Sequence, residues 1–361
     1  MGSSANDTKA GNDRNAGDEA MIDRHYRAIR SGAGVIVLDD RVVVRVIGDD
    51  RVAFMHGMSS ADLRGLKSGG VSPALILTEH AHVIAELFVY ALSDALLIEA
   101  DRATWPAARA HLERLLVADD VEFEELTELC VIDLEGPRAY EALRDLYVAE
   151  AKGWSQIEAT AAAADLGVRL IAAVPRFGAP AITLIADRAD TARDVARLRA
   201  SYRDVTELTP ETVDILRVEN GIARVGTDTS DKTLALEARL ERAISFNKGC
   251  YVGQETIERA TARGALKKRL CGLLIEGARV PQTGAPITMD GREIGRLTSV
   301  VRSPERGLIG LAIIHHAAWP AGTRVAIAEG AGAIGATVSD LPFDAAFAGA
   351  SADGTTEGTQ A

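Results

Sequence analysis

The strongest constraint on this chain is a segment that occurs twice. Leu97-Ile98-Glu99-Ala100-Asp101-Arg102-Ala103 leads into a helical stretch, and Leu184-Ile185-Ala186-Asp187-Arg188-Ala189 does the same about 87 residues later. Val46-Ile47-Gly48, followed by a helix near Arg51, resembles Leu134-Glu135-Gly136, followed by a helix near Arg138, at about the same offset. Two matches at one spacing predict two related α+β halves facing each other across a cleft, a common place for a ligand. β-branched runs at 35–38, 42–47, 74–77, 96–98, 131–134 and 182–185 read as strands, and 105–117, 138–147 and 191–199 read as helices.

Beyond Leu266 the pattern changes. Strand-like runs at 269–275, 292–301, 308–314 and 324–328 are separated by turn residues such as Pro281-Gln282-Thr283-Gly284 and Asp290-Gly291, the pattern of a small all-β barrel or sandwich. The expected organisation is a tail over 1–18, a two-half α+β region over 19–265, a β-barrel over 266–343 and a second tail over 344–361. Both ends are rich in small polar residues and read as disordered. Aromatic residues are only 4 %, so the cores must be built from Ala, Val, Leu and Ile.

A net charge of −12 argues against a general nucleic-acid-coating role, which needs clustered Lys and Arg. No apolar run reaches the ~18 residues of a membrane span. The first 19 residues lack a basic-then-apolar leader pattern. Three cysteines with no CxxC spacing provide neither a disulfide framework nor a metal knuckle. These features lead us to expect a cytoplasmic protein.

The densest chemical signal is Lys248-Gly249-Cys250-Tyr251-Val252-Gly253-Gln254-Glu255, ahead of a helical stretch over 254–263. A helix start carries free N–H groups and partial positive charge, and Lys248 adds a cation; both favour a thiolate at Cys250, which otherwise reads as a half-buried structural cysteine. Cys130 and Cys271 sit in apolar runs and read as core. The second signal is Arg217-Val218-Glu219-Asn220-Gly221, closing a helix over 211–220. Gly221 suits a left-handed cap, which puts Glu219 in the last turn, where the helix dipole disfavours a carboxylate. Such a carboxylate reads either as a surface acid paired with a neighbouring Arg or as an acceptor of two N–H bonds from an amidine-like ring edge, as in a pterin. Asp62 reads as a helix cap or a ligand contact, and Glu86 is a lone acid in the apolar strand run 83–89. His80 and His82 could share a face, but no third metal ligand is evident. Arg259, Arg263, Lys267, Lys268 and Arg269 form a basic run, which reads as a solvated face or as a site for the anionic tail of a ligand or an RNA backbone.

The octapeptide together with the upstream Arg-x-Glu-x-Gly resembles the YgfZ family of folate-binding proteins, relatives of the glycine cleavage T-protein, an aminomethyltransferase. Asp39-Asp40-Arg41, Val46-Ile47-Gly48-Asp49-Asp50 and Phe54-Met55-His56-Gly57 through Asp62 are similar to that family's opening, so the likeness covers roughly residues 35–328. The resemblance implies a ring of two related α+β domains plus a C-terminal β-barrel, with tetrahydrofolate or a one-carbon derivative in the central opening. It implies Glu219 on the pterin, with Arg217, Asp62, Glu86, Tyr251, Gln254 and Arg259 around the ligand, Cys250 and Lys248 as the working pair, and no metal. It implies a role in maintaining iron–sulfur enzymes, including tRNA-modifying ones, so partners would be those enzymes or their assembly proteins.

Two departures follow from the same comparison. T-proteins carry an Asp-Asp-Leu where this chain has Ala85-Glu86-Leu87, which shifts the remaining carboxylate by about a methylene and weighs against aminomethyl transfer. Bacterial YgfZ members place tryptophans near the folate, and the nearest positions here are Arg41 and Val213. A tetrahydrofolate-dependent aminomethyl- or methyltransferase using Glu86, and a non-catalytic folate-binding regulator, stand as alternatives.

Overall fold

The computed structural model describes residues 20–148, 154–178, 180–202, 205–263, 266–330 and 332–343; the expected tails lie outside the described residues. A helix over 20–31, α1, leads into β1 (Ala33–Val37). The first half then runs β2 (Arg41–Ile47), α2 (Arg51–Met58), β3 (Val71–Leu77), β4 (Val83–Ala91), β5 (Leu96–Asp101), α3 (Trp105–Leu115) and β6 (Glu122–Glu125). The second runs β7 (Leu129–Glu135), α4 (Ala139–Ala142), β8 (Ser155–Ile157), α5 (Ala161–Asp165), β9 (Val168–Ala173), β10 (Ala181–Asp187), α6 (Thr191–Ser201) and β11 (Val205–Glu207).

The repeat is real in three dimensions. The first sheet has the order β3-β4-β5-β2-β6 and the second β8-β9-β10-β7-β1-β11, so the two differ by one inserted strand, β1. Gly48 and Gly136 close equivalent strands, both with positive φ (104° and 126°). A Cβ there would run into the carbonyls of Asp120 and Gly32 respectively, so only glycine fits either turn. The repeated Asp-Arg-Ala turn also has one purpose in both copies. Arg102 donates through Nε to the Asp39 carbonyl (3.3 Å) and through Nη2 to that of Arg41 (2.9 Å). Arg188 donates through Nε to the Thr127 carbonyl (3.2 Å) and through Nη2 to that of Leu129 (2.9 Å). Each arginine thus satisfies two carbonyls at the mouth of its half's first strand.

The cores are aliphatic. Val44, Ile76, Leu87 and Ile98 fill the first half, and Ile132, Leu134, Leu184 and Leu198 the second, all buried. Full burial of each such side chain is worth about 1.5–3 kcal/mol. Cys130 and Cys271 are buried as well. The expected helix over 138–147 splits into α4 and a 3₁₀ turn, Arg144–Leu146, which lets Leu143, Leu146 and Tyr147 all reach the core.

Where the halves meet, the contact is polar. Arg176, after β9, donates through Nη1 (2.8 Å) and Nη2 (3.1 Å) to Glu99 of β5 and through Nε (3.0 Å) to Asp133 of β7. Tyr90 and the Nε of Arg41 also donate to Glu99, at 2.7 and 2.8 Å. Burial alone would raise the Glu99 carboxyl, but Arg176 and Arg41 outweigh it and hold it to about 2. One guanidinium therefore joins the two sheets through two buried carboxylates.

After α7 (Pro210–Glu219) and α8 (Gln254–Arg263) the chain closes a six-stranded barrel in the order β12-β15-β14-β13-β16-β17, with strands Lys268–Ile275, Gly307–His315, Arg292–Ser303, Pro286–Met289, Arg324–Glu329 and Gly332–Ser339. The fold class is α+β with a closed C-terminal barrel, as the sequence predicted. Among the described residues no helix is long and apolar enough to cross a membrane.

Candidate functional site

A cavity of about 340 Å³ lies between the halves and is closed on one side by α7. Its floor follows from strand register. Arg41 pairs with Asp101, and Val43 and Phe88 both pair with Glu99. Side chains alternate along a strand, so Arg41, Asp101 and Glu86 share a face with Phe88 and Glu99. Of these, Arg41, Glu86, Phe88 and Asp101 line the cavity. Ile36, Leu38, Phe177 and Val213 supply apolar wall. Phe88 is held between the ring of Trp154, stacked at 5.6 Å, and the guanidinium of Arg176, 4.8 Å from its centroid.

Of the nine residues proposed from sequence, two line this cavity: Glu86 and Arg217. Glu86 accepts from Arg242 Nη2 at 2.7 Å. The donors of Arg217 are spent within the protein, on Asp214, Asp228, the Ile222 carbonyl and Ser299. Arg217 therefore ties α7 to the barrel and contributes mainly a wall.

Glu219, expected from sequence to hold the ligand, does not line this cavity. Its carboxylate accepts from the Tyr26 hydroxyl (3.0 Å) and the Ser303 hydroxyl (2.5 Å), and is buried. Two residues along a helix lie about 200° apart, so Arg217 and Glu219 cannot face one opening. The helix end itself is as expected: Gly221 has φ 67°, and Ile222 and Gly221 donate back to the carbonyls of Arg217 and Val218. Burial raises the carboxyl of Glu219 above its ordinary range, against the pull of Ser303 and Tyr26.

The octapeptide also sits elsewhere. Lys248 is buried, and its ammonium donates to the carbonyls of His56, Ser59 and Ala61 at the end of α2. With three donors on three carbonyls it is a cap for α2 rather than a partner for the thiol. Burial lowers the Lys248 amine to about 8. Cys250 is exposed. Tyr251 is buried beside Ile257, and Gln254 accepts from the Tyr251 N–H and donates to Glu258. Arg259 pairs on the surface with Glu255 at 3.8 Å. Asp62 accepts from the Gly65 N–H, a local turn. None of these six residues lines the cavity.

The residues that sequence reading missed are Phe88, Asp101, Arg176, Phe177 and Arg242. Asp101 was visible as part of the repeated Asp-Arg-Ala turn. Arg176 and Arg242 carry no local signal, because each reaches its partner from a distant segment.

Comparison with known proteins fits this architecture. Residues 12–248 match the family model for the GCVT N-terminal domain, and residues 268–344 match that for the glycine cleavage T-protein C-terminal barrel domain. A chloroplastic protein of Arabidopsis thaliana named as a transferase is 28 % identical over 338 residues, covering 89 % of this chain and 73 % of that one. An aminomethyltransferase of Rubrobacter xylanophilus is 25 % identical over 298 residues, covering 82 % and 79 %. The crystal structure of the glycine cleavage system aminomethyltransferase T from Bartonella henselae shares the fold, with a TM-score of 0.79 at 21 % identity over 90 % of this chain and 89 % of that one. With both family models matched in order along its length, the chain belongs to the glycine cleavage T-protein family.

Proposed function

We propose that this chain binds a reduced folate, tetrahydrofolate or a one-carbon derivative, in the cavity between its halves. We further propose that it acts in the cytoplasm as a YgfZ-type accessory protein for iron–sulfur enzymes, tRNA-modifying ones included, with Cys250 as its working thiol. The observation that carries the folate reading is the wall itself: a carboxylate, Glu86, in a cavity of about 340 Å³ whose apolar wall is Ile36, Leu38, Phe177 and Val213. A pterin presents an N–H edge to a carboxylate and two faces to apolar groups, and a pocket of this size suits a small ligand. When bound, the folate would supply a ring nitrogen able to carry a one-carbon unit.

The engagement of Glu86 by Arg242 favours a binding role over proton transfer, since the carboxylate is already committed to a cation. The octapeptide around the exposed Cys250 supports the accessory reading. A second reading, a folate-dependent aminomethyl- or methyltransferase using Glu86, is favoured by the names of the relatives.

Two measurements decide. Calorimetric titration of the purified protein with tetrahydrofolate should show binding that Glu86→Gln weakens; no binding ends the folate reading. In cells lacking the protein, the wild type should restore an iron–sulfur enzyme and Cys250→Ala should not. Full rescue by Cys250→Ala rejects the thiol's role and, with folate binding intact, leaves a regulator. Turnover of a one-carbon donor that Glu86→Gln abolishes would establish the transferase.

A further inference from the structure

Five arginines line the cavity: Arg41, Arg176, Arg217, Arg224 and Arg242. Their donors can be traced one by one. Every guanidinium nitrogen of Arg176 is bonded, to Glu99, Asp133 and Thr183. Arg217 is likewise spent on Asp214, Asp228, Ile222 and Ser299. Arg242 is committed to Glu86 at 2.7 Å. Arg224 is partly exposed and approaches Asp214 at 3.6 Å.

Of the five, Arg41 alone has a buried guanidinium nitrogen left without an acceptor. Its Nε is fixed on the fully buried Glu99 at 2.8 Å, and its side chain is 13 % exposed. Its guanidinium lies over Phe88, 5.6 Å from the ring centroid. Yet Nη2 is buried with no acceptor, and among the described residues Nη1 has none either. A guanidinium locked at one edge and unmatched at the other is a preorganised donor pair, and a buried donor left unmatched calls for a partner.

From this we infer that Arg41 anchors a carboxylate of the cavity's ligand; the inference rests on the reduced-folate reading above. A planar fork with its Nε edge already occupied offers its two terminal nitrogens to a single acceptor group, and a carboxylate is the group that matches both. In a folate that group belongs to the benzoylglutamate tail, away from the ring edge that a carboxylate such as Glu86 would hold. Of the basic run that was the sequence-level candidate for an anionic tail, Arg259 pairs with Glu255 and Arg269 lies over Trp319, and neither lines the cavity.

The test compares two ligands on the full-length protein by calorimetry: tetrahydrofolate, and 6-methyltetrahydropterin, which has the ring but no carboxylate. Arg41→Gln should weaken tetrahydrofolate about 10- to 100-fold, the range for one charge-assisted bidentate contact. It should change 6-methyltetrahydropterin by less than about twofold. Arg41→Lys, which keeps a charge near Glu99 but loses the fork, should fall between on tetrahydrofolate, and it carries the same comparison should the Gln variant melt early. Equal losses on both ligands would make Arg41 a prop for the cavity floor, and no loss on either would remove it from the site; both overturn the inference while leaving folate binding in place. A wild type that binds neither ligand would instead overturn the folate reading, and the inference with it.

Discussion

Arg242 reaches Glu86 across 2.7 Å, joining the cavity floor to the segment that leads on to Cys250. If Glu86 receives the ligand's N–H edge, Arg242 competes for the same oxygens. Arg242→Gln should therefore tighten tetrahydrofolate binding, by about threefold, while Glu86→Gln weakens it about tenfold. Calorimetry on both variants checks this. A loss with Arg242→Gln as large as that with Glu86→Gln would mean that the arginine orients the acid instead.

Arg176 should matter more for stability than any other side chain near the cavity. Arg176→Met leaves Glu99 and Asp133 buried without their shared cation, and breaking a buried ion pair from one side costs about 3–5 kcal/mol. Urea unfolding measures it. A loss below about 1 kcal/mol would show that the halves hold together without this link.

Glu219 should leave a mark on the pH dependence of stability. Burial raises its carboxyl above the ordinary 4.5, so the folded chain binds that proton more tightly than the unfolded chain. Stability from this group is then fully present below 4.5 and falls as pH rises through the raised folded value. The Tm advantage of wild type over Glu219→Gln should be larger at pH 5 than at pH 7. A difference that does not move with pH would contradict the raised carboxyl.

The three thiols should separate cleanly. Cys250 is exposed while Cys130 and Cys271 are buried, so iodoacetamide should modify only Cys250 in the native protein and all three after unfolding. Cys250→Ala should change stability by less than about 0.5 kcal/mol, because the side chain packs against little. Mass spectrometry and melting curves check both statements.

Much of the architecture was legible because it is repeated or periodic. The offset of about 87 residues exposed the two halves, and turn residues beyond Leu266 exposed the barrel. The three-residue strands β8 and β11 were illegible, since three residues carry no period and their pairing comes from neighbours distant in sequence. For the site, Glu86 could be picked out as an acid in an apolar strand. Glu219 also looked out of place, and it is; but the groups that satisfy it, Tyr26 and Ser303, lie 193 and 84 residues away. Oddness in a sequence marks a need for a partner and does not say whether that partner is a ligand or a hydroxyl from another domain.

The strand β1 lies between β7 and β11, antiparallel to one and parallel to the other. On the ribosome it emerges before both strands it pairs with, so it waits, unpaired, until the whole first half and β7 have been translated, and its other edge stays open until β11, the last strand of the second half, follows. The two halves cannot mature as independent beads in order of synthesis. Cutting the gene between β6 and β7 would strand an orphan edge on one fragment and leave a gap in the other, and co-expressed fragments should regain a native sheet only by handing that strand across.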